Sequence, residues 1–232
     1  MKFSTKLLGG KLVRRYRRFL VDVQLDNGSI VTAHCPNSGT MVGCCESGKP
    51  VLLSESNDPH RRNAYTWEMI NMNGTWVGVN VSVPRKVVAE SLRQNTIATF
   101  VGFTDLTLDA EYGRGKRVDI LMLGREHNLF MNVYHVAWAE NNVALFPETP
   151  NARARRGMSD LIEIAQQGHR AVAFFFVQRG DCTRFSPAIE VDPDFGKIFL
   201  EAQKSGVEII AYRARVSPDG IDLGTPLPCV VD

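Results

Sequence analysis

The sequence predicts a small β-barrel followed by a larger α/β domain built on a mixed sheet. Three observations predict it. Residues 11–81 hold about five short alternating segments separated by turn dipeptides. Pro84 opens a helical pattern directly after them, and from residue 117 onward strand and helix patterns alternate. The change of pattern divides the chain into residues 1–82 and 83–232. A length of 232 residues, with 44% hydrophobic and 22% charged, gives both parts enough apolar material for a packed core.

In the first part, Phe19, Val21, Val23 and Leu25 alternate with Arg18, Leu20, Asp22 and Gln24, a period of two. Asp26-Asn27-Gly28 supplies a turn, and residues 29–34 return as a second strand. Residues 51–53 read as a third. Residues 67–70 and 76–79 flank Asn73-Gly74 as a hairpin. Ser82 takes the N-cap place of the helix, with Val87, Val88 and Leu92 at helical spacing. In the second part, residues 117–123 and 130–138 form a hairpin around 124–128. A helix over 153–167 ends before Gly168. The unbroken apolar run 171–177 is a strand covered on both faces. A helix over 193–204 and a last strand over 207–216 complete the pattern.

The run 171–177 is also the longest apolar stretch, far short of the roughly 20 residues a bilayer requires. Five cysteines, an odd number, with no leader pattern, place the chain in a reducing cytoplasm. His34, Cys35, Cys44, Cys45 and His60 lack zinc-ligand spacing. The net charge of +2 is unevenly spread. The first twenty residues carry seven basic side chains and no acid, leaving −5 for the rest. Such asymmetry points to phosphate contact, or else to a solvated leader.

Four groups carry candidate chemistry. Arg14-Arg15-Tyr16-Arg17-Arg18-Phe19, read as one strand, sets Arg15 and Arg17 on one face and Arg14, Tyr16 and Arg18 on the other. Guanidiniums beside aromatics suit phosphate contact with base stacking; the same charges also protect an edge strand. Arg61 and Arg62 extend the patch. The turn-rich run from His34 to Met41 offers backbone N–H groups to an anion, with His34, Asn37 and Ser38 as its polar side chains. Arg153, Arg155 and Arg156 gather at a helix start, where the macrodipole is already positive. Asp119, inside an apolar strand, requires a partner, which Lys116, Arg117 or a metal would supply. Restriction-type nucleases pair such an Asp with E-x-K on the neighbouring strand, the acids holding Mg²⁺. Here Asn132 and Tyr134 take the Glu and Lys places, so the constellation is half present.

At these residues the chain resembles the sugar fermentation stimulation protein A family of bacteria and archaea. The matching stretches include Arg15-Tyr16-Arg17-Arg18-Phe19-Leu20, His34-Cys35-Pro36-Asn37-Ser38-Gly39-Thr40-Met41, Tyr65-Thr66-Trp67-Glu68, Arg117-Val118-Asp119, Phe146-Pro147 and Thr183-Arg184-Phe185-Ser186-Pro187. The resemblance implies an OB-like barrel, a restriction-nuclease-like PD-(D/E)xK domain, nonspecific DNA binding and a regulatory link to sugar (maltose) metabolism. Asp109 matches the family's earlier acid and Arg153 its later Arg, with Arg156 as a positive stand-in for a Lys. The expectation is a cytoplasmic, sequence-independent DNA binder without cofactor. Arg15, Tyr16, Arg17, Arg18, Phe19, His34, Asn37, Ser38, Arg61, Arg62, Arg153 and Arg156 make up its interface. Its nuclease positions, Asp109, Asp119, Asn132 and Tyr134, are catalytically degraded. The alternative is a divergent Mg²⁺-dependent nuclease using Asp109 and Asp119, with Glu111 or Glu140 for the missing Glu. Self-association stays open.

Overall fold

A computed structural model describes every residue except Pro59, Arg114 and Asp232. The first part contains β1 (Leu8–Tyr16), β2 (Leu20–Leu25), β3 (Ile30–His34), β4 (Pro50–Glu55), β5 (Tyr65–Met72) and β6 (Thr75–Gly78). Their order is β3-β2-β1-β4-β5-β6, and a parallel pairing of Ala33 with Tyr65 and His34 with Thr66 joins β3 to β5. Five strands therefore close on themselves, which removes the free edges, and β6 adds a sixth outside the ring. The alternation along β2 turns Val21 and Val23 inward, against Leu12, Leu53, Trp67 and Ile70. Asn73-Gly74 makes the β5–β6 turn with both residues left-handed, the geometry that a tight hairpin selects.

The second part follows α1 (Val83–Arg93), which Pro84 opens. Ser82 makes no side-chain cap; the Asn80 Oδ1 instead accepts from the Ser82 N–H and hydroxyl and fixes the entry. Next come β7 (Asp105–Gly113), β8 (Lys116–Leu123), β9 (Leu129–Val136), β10 (Ala139–Glu140), β11 (Val143–Phe146), α2 (Ala152–Gln166), β12 (Arg170–Val177), β13 (Arg184–Pro187), α3 (Pro193–Lys204), β14 (Glu208–Ser217) and β15 (Gly220–Leu227). The large sheet has the order β15-β14-β12-β9-β8-β7, with β12 parallel to both its neighbours and the outer pairs antiparallel. As its composition requires, β12 is covered twice. Val172, Phe174 and Phe176 pack in the core that includes α1, and Ala173, Phe175 and Val177 pack in the core of α2 and α3. The expected last strand is followed by another, β15, which returns antiparallel to β14. A small sheet, β10-β11-β13, lies apart.

Two expectations about the N-terminal segment are corrected. Residues 1–3 do not belong to the barrel. The Ile221 N–H donates to the Met1 carbonyl, and the Phe3 N–H to that of Asp219, so the chain start lies along the second domain. The basic cluster is consequently divided, with Lys2 there and Arg14–Arg18 on the barrel. The domains are joined at Gly78, whose N–H donates to the Gln178 carbonyl at 2.8 Å and whose carbonyl meets the His135 Nε2 at 3.1 Å.

Candidate functional site

The arginine run lies at the β1–β2 hairpin, but not as one strand. Strand β1 ends at Tyr16, and Arg17 and Arg18 form the turn with φ of 49° and 61°. Left-handed backbone is unfavourable for a side chain with a Cβ, by about 1 kcal/mol or more per residue. The alternation that placed Arg15 beside Arg17 is therefore broken. Arg14 Nε donates to Asp22 Oδ2 at 2.8 Å, the Tyr16 hydroxyl donates to Asp22 Oδ1 at 3.1 Å, and the Arg14 guanidinium lies 5.0 Å from the Tyr16 ring centre. The hydrogen bond from Arg14, with those from Thr32 and Tyr16, holds the Asp22 carboxyl below the usual range. Arg14 and Tyr16 are thus committed to the barrel wall. Arg17, Arg18 and Phe19 project from the tip, with Phe19 53% exposed.

Arg15 faces the other way. Its Nη2 donates to the carbonyls of Arg18, Asn37 and Gly39, which ties the hairpin tip to the loop after β3. Asn37 is buried, and its Oδ1 accepts from the Gly39 N–H at 2.8 Å; its side chain shapes the loop instead of facing solvent, contrary to expectation. Ser38 is exposed and His34 half-buried. A Cβ on Gly39 would sit 2.1 Å from Glu148 Oε1, so only glycine lets that carboxylate approach. The other oxygen of Glu148 accepts from the Val42 N–H. Arg61 Nη2 donates to Thr66 Oγ1 at 2.8 Å, and Arg62 is exposed.

Glu148 stands three residues before Asn151, whose Oδ1 accepts from the Ala154 N–H and caps α2. The hairpin, the loop and the start of α2 are therefore linked by direct contacts, with one acid between them. On α2, Arg153 and Arg156 are exposed, while Arg155 pairs with Asp192, the cap of α3, at 2.7 Å.

The nuclease-like positions come together on β7, β8 and β9. Register pairs Leu108 with Ile120 and Ala110 with Val118, so Asp109 and Asp119 lie opposite each other. Asp119 Oδ2 accepts from the Val133 N–H at 2.8 Å, and Asn132 accepts from the Asp119 N–H and donates to the Gly157 carbonyl. The partner of the acids is neither Lys116 nor Arg117. Lys116 pairs with Asp160 and Glu163 on α2, and Arg117 with Glu111 at 3.9 Å. The cation is Arg85 of α1, whose Nη1 is ion-paired with Asp109 Oδ1 and lies 4.0 Å from Asp119 Oδ1. Burial raises the Asp119 carboxyl, opposed by the Val133 N–H and by the charges of Arg85 and Arg153. Burial also pushes the Tyr134 phenol up; its hydroxyl is enclosed and lacks a hydrogen-bond partner among the described residues. A Cβ on Gly157 would come within 3.0 Å of that hydroxyl and 3.2 Å of Asn132 Nδ2, so a glycine lets α2 close over both.

This donor set does not fit the divalent cation of a nuclease. Among the described residues no three His, Cys, Asp or Glu side chains converge, and the two acids that do meet already hold a guanidinium. Glu140 lies on β10, in the separate sheet. Nothing local in the sequence marked Arg85, because its role depends on where α1 crosses the sheet.

A closed barrel joined to a mixed sheet flanked by helices defines the class, an OB barrel followed by an α/β domain. A domain model described as the SfsA N-terminal OB domain matches residues 13–79, and one described as the sugar fermentation stimulation protein RE domain matches residues 82–220. The chain belongs to the sugar fermentation stimulation protein family. A homolog from Geobacter sulfurreducens is 44% identical over 222 residues, covering 96% of this chain and 95% of the relative. One from Citrifermentans bemidjiense is 41% identical over 231 residues and the full length of both. The solved SfsA of Pyrococcus furiosus, described in complex with Ca²⁺, superposes with a TM-score of 0.90 at 21% identity, covering 99% of this chain and 98% of that one. No helix among the described residues is long and apolar enough to cross a membrane.

Proposed function

We propose that the protein binds DNA without sequence preference and does not cut it, acting in the cytoplasm as a regulator linked to sugar metabolism. The observation that carries DNA binding is the hairpin tip, where two exposed arginines and an exposed phenylalanine are held in a left-handed turn. Arginines supply phosphate contacts that any sequence satisfies, and an exposed ring stacks on any base. Arg153 and Arg156 on α2, together with Arg62, extend the contact, with Ser38 on the loop between. Glu148 separates these groups, so two contact areas fit better than one unbroken track.

The absence of cleavage rests on a different observation. The Tyr134 hydroxyl is enclosed beneath α2 and Asn132 is bonded to Gly157, so neither is free to act on a scissile phosphate. The Ca²⁺ named for the archaeal relative keeps a rival in view, a divergent metal-dependent nuclease using Asp109 and Asp119.

Fluorescence anisotropy with labelled single- and double-stranded DNA tests the proposal. Binding falls steeply with salt, by about 0.9 in log K per log salt for each duplex phosphate contact, and Arg17→Ala or Arg18→Ala reduces that slope by about one contact. Phe19→Ala weakens single-strand binding without changing the slope. No binding at low salt to either form ends this reading. Product formed with Mg²⁺ or Mn²⁺, and lost in Asp119→Ala, establishes the rival.

A further inference from the structure

Two carboxylates facing each other across paired strands repel, and burial makes the repulsion larger. A nuclease relieves it with a divalent ion that needs six or more oxygens around it. At this site one oxygen of each acid is already engaged, and a cation already faces the pair. Asp119 Oδ2 accepts the Val133 N–H, the Asn132 oxygen accepts the Asp119 N–H, and Arg85 holds Asp109 while facing the second oxygen of Asp119. The first turn of α1 is anchored by buried Val83, Pro84, Val87 and Val88, so the guanidinium is delivered from a fixed backbone. Arginine stays charged at any pH at which the protein is folded.

We propose that Arg85 stands in for the metal ion. Its guanidinium is the built-in counter-charge of the Asp109–Asp119 pair and keeps divalent cations out of it. The guanidinium offsets one of the two negative charges permanently, where a nuclease would offset them only after taking up its ion. The acids serve to fasten α1 to the β7–β8 hairpin. This inference concerns the charges of the site alone and stands whether or not the protein binds DNA.

The test is thermal unfolding of the full chain in EDTA, Ca²⁺ or Mn²⁺, with Mn²⁺ uptake followed independently by loss of the free-ion EPR signal. Wild type is expected to take up no ion at this site and to melt at one temperature in all three. Arg85→Gln is expected to melt lower in EDTA and to be restored by Ca²⁺, by about 5–10 °C when the ion is in hundredfold excess over its dissociation constant. Arg85→Gln/Asp109→Asn, which removes both the cation and one of the repelling charges, is expected to fold and to lose the metal response. The inference is overturned if wild type takes up either ion in a way that Asp119→Asn abolishes. It is equally overturned if Arg85→Gln folds with no gain in metal binding, or if Ca²⁺ fails to restore an unfolded Arg85→Gln.

Discussion

Arg15→Ala separates a scaffolding arginine from the exposed arginines beside it. The substitution removes the Nη2 group that donates to the carbonyls of Arg18 at 3.0 Å, Asn37 at 2.7 Å and Gly39 at 2.8 Å. A hydrogen bond from a charged donor contributes about 1.5–3 kcal/mol. The nitrogen has only two hydrogens for three acceptors, so the bonds share donors and do not simply add. The resulting loss is about 2–4 kcal/mol, equivalent to a fall in Tm of about 5–15 °C for a chain of this length. Thermal unfolding by circular dichroism measures the fall, and amide hydrogen exchange locates it. Val42 and its neighbours in the loop after β3 are expected to exchange faster, because that loop loses its tie to the hairpin. Arg17→Ala, whose side chain is exposed at the turn, shifts stability by about 0.5 kcal/mol or less. An Arg15→Ala protein that melts within about 1 °C of wild type, with unchanged exchange in the loop, would show that Arg15 does not hold the loop.

Three other outcomes follow from the same geometry. Arg17→Gly relieves a left-handed backbone and raises stability by about 1 kcal/mol; a fall in Tm would contradict the strain at φ 49°. Gly39→Ala pushes the end of the Glu148 side chain away and loses its hydrogen bond from the Val42 N–H, at a cost of about 1 kcal/mol; with Glu148→Ala already in place the same change costs less, measured by urea unfolding. His135 is held neutral by burial, with its pKa lowered from 6.5 to about 4. The unfolded chain therefore binds the extra proton first. Stability from this group is complete above about pH 6.5 and declines as pH falls toward 4, by about 3 kcal/mol at most. Urea midpoints taken across that range detect the decline, and His135→Gln should flatten it.

Much of the fold was legible because local pattern decides it. The β2–β3 hairpin, β12 and the two helices over 152–166 and 193–204 follow from alternation, turn residues and helical spacing, all of which depend on near neighbours in the chain. That Asn132 and Tyr134 lie on one strand, two residues apart, was legible for the same reason, since residues at that spacing share a face. Legibility ended where a side chain's role depends on a distant partner. The run Arg14–Arg18 reads as one basic strand, yet Arg14 turns to Asp22, Arg15 turns to the loop and Arg17 enters a turn, because each answers to a different neighbour in space.

By itself, the sequence determined the two-domain order, the core strands and the absence of a Glu and a Lys from β9. Only the tertiary structure decided which arginines remain free, that the first three residues lie along the second domain, and that Arg85 pairs with Asp109 and faces Asp119. The physical reason is one of range. Periodicity records which face of an element is buried, whereas an ion pair is fixed by how elements cross. Arg85 and Asp109 lie 24 residues apart, on a helix and a strand that meet only once the sheet is assembled.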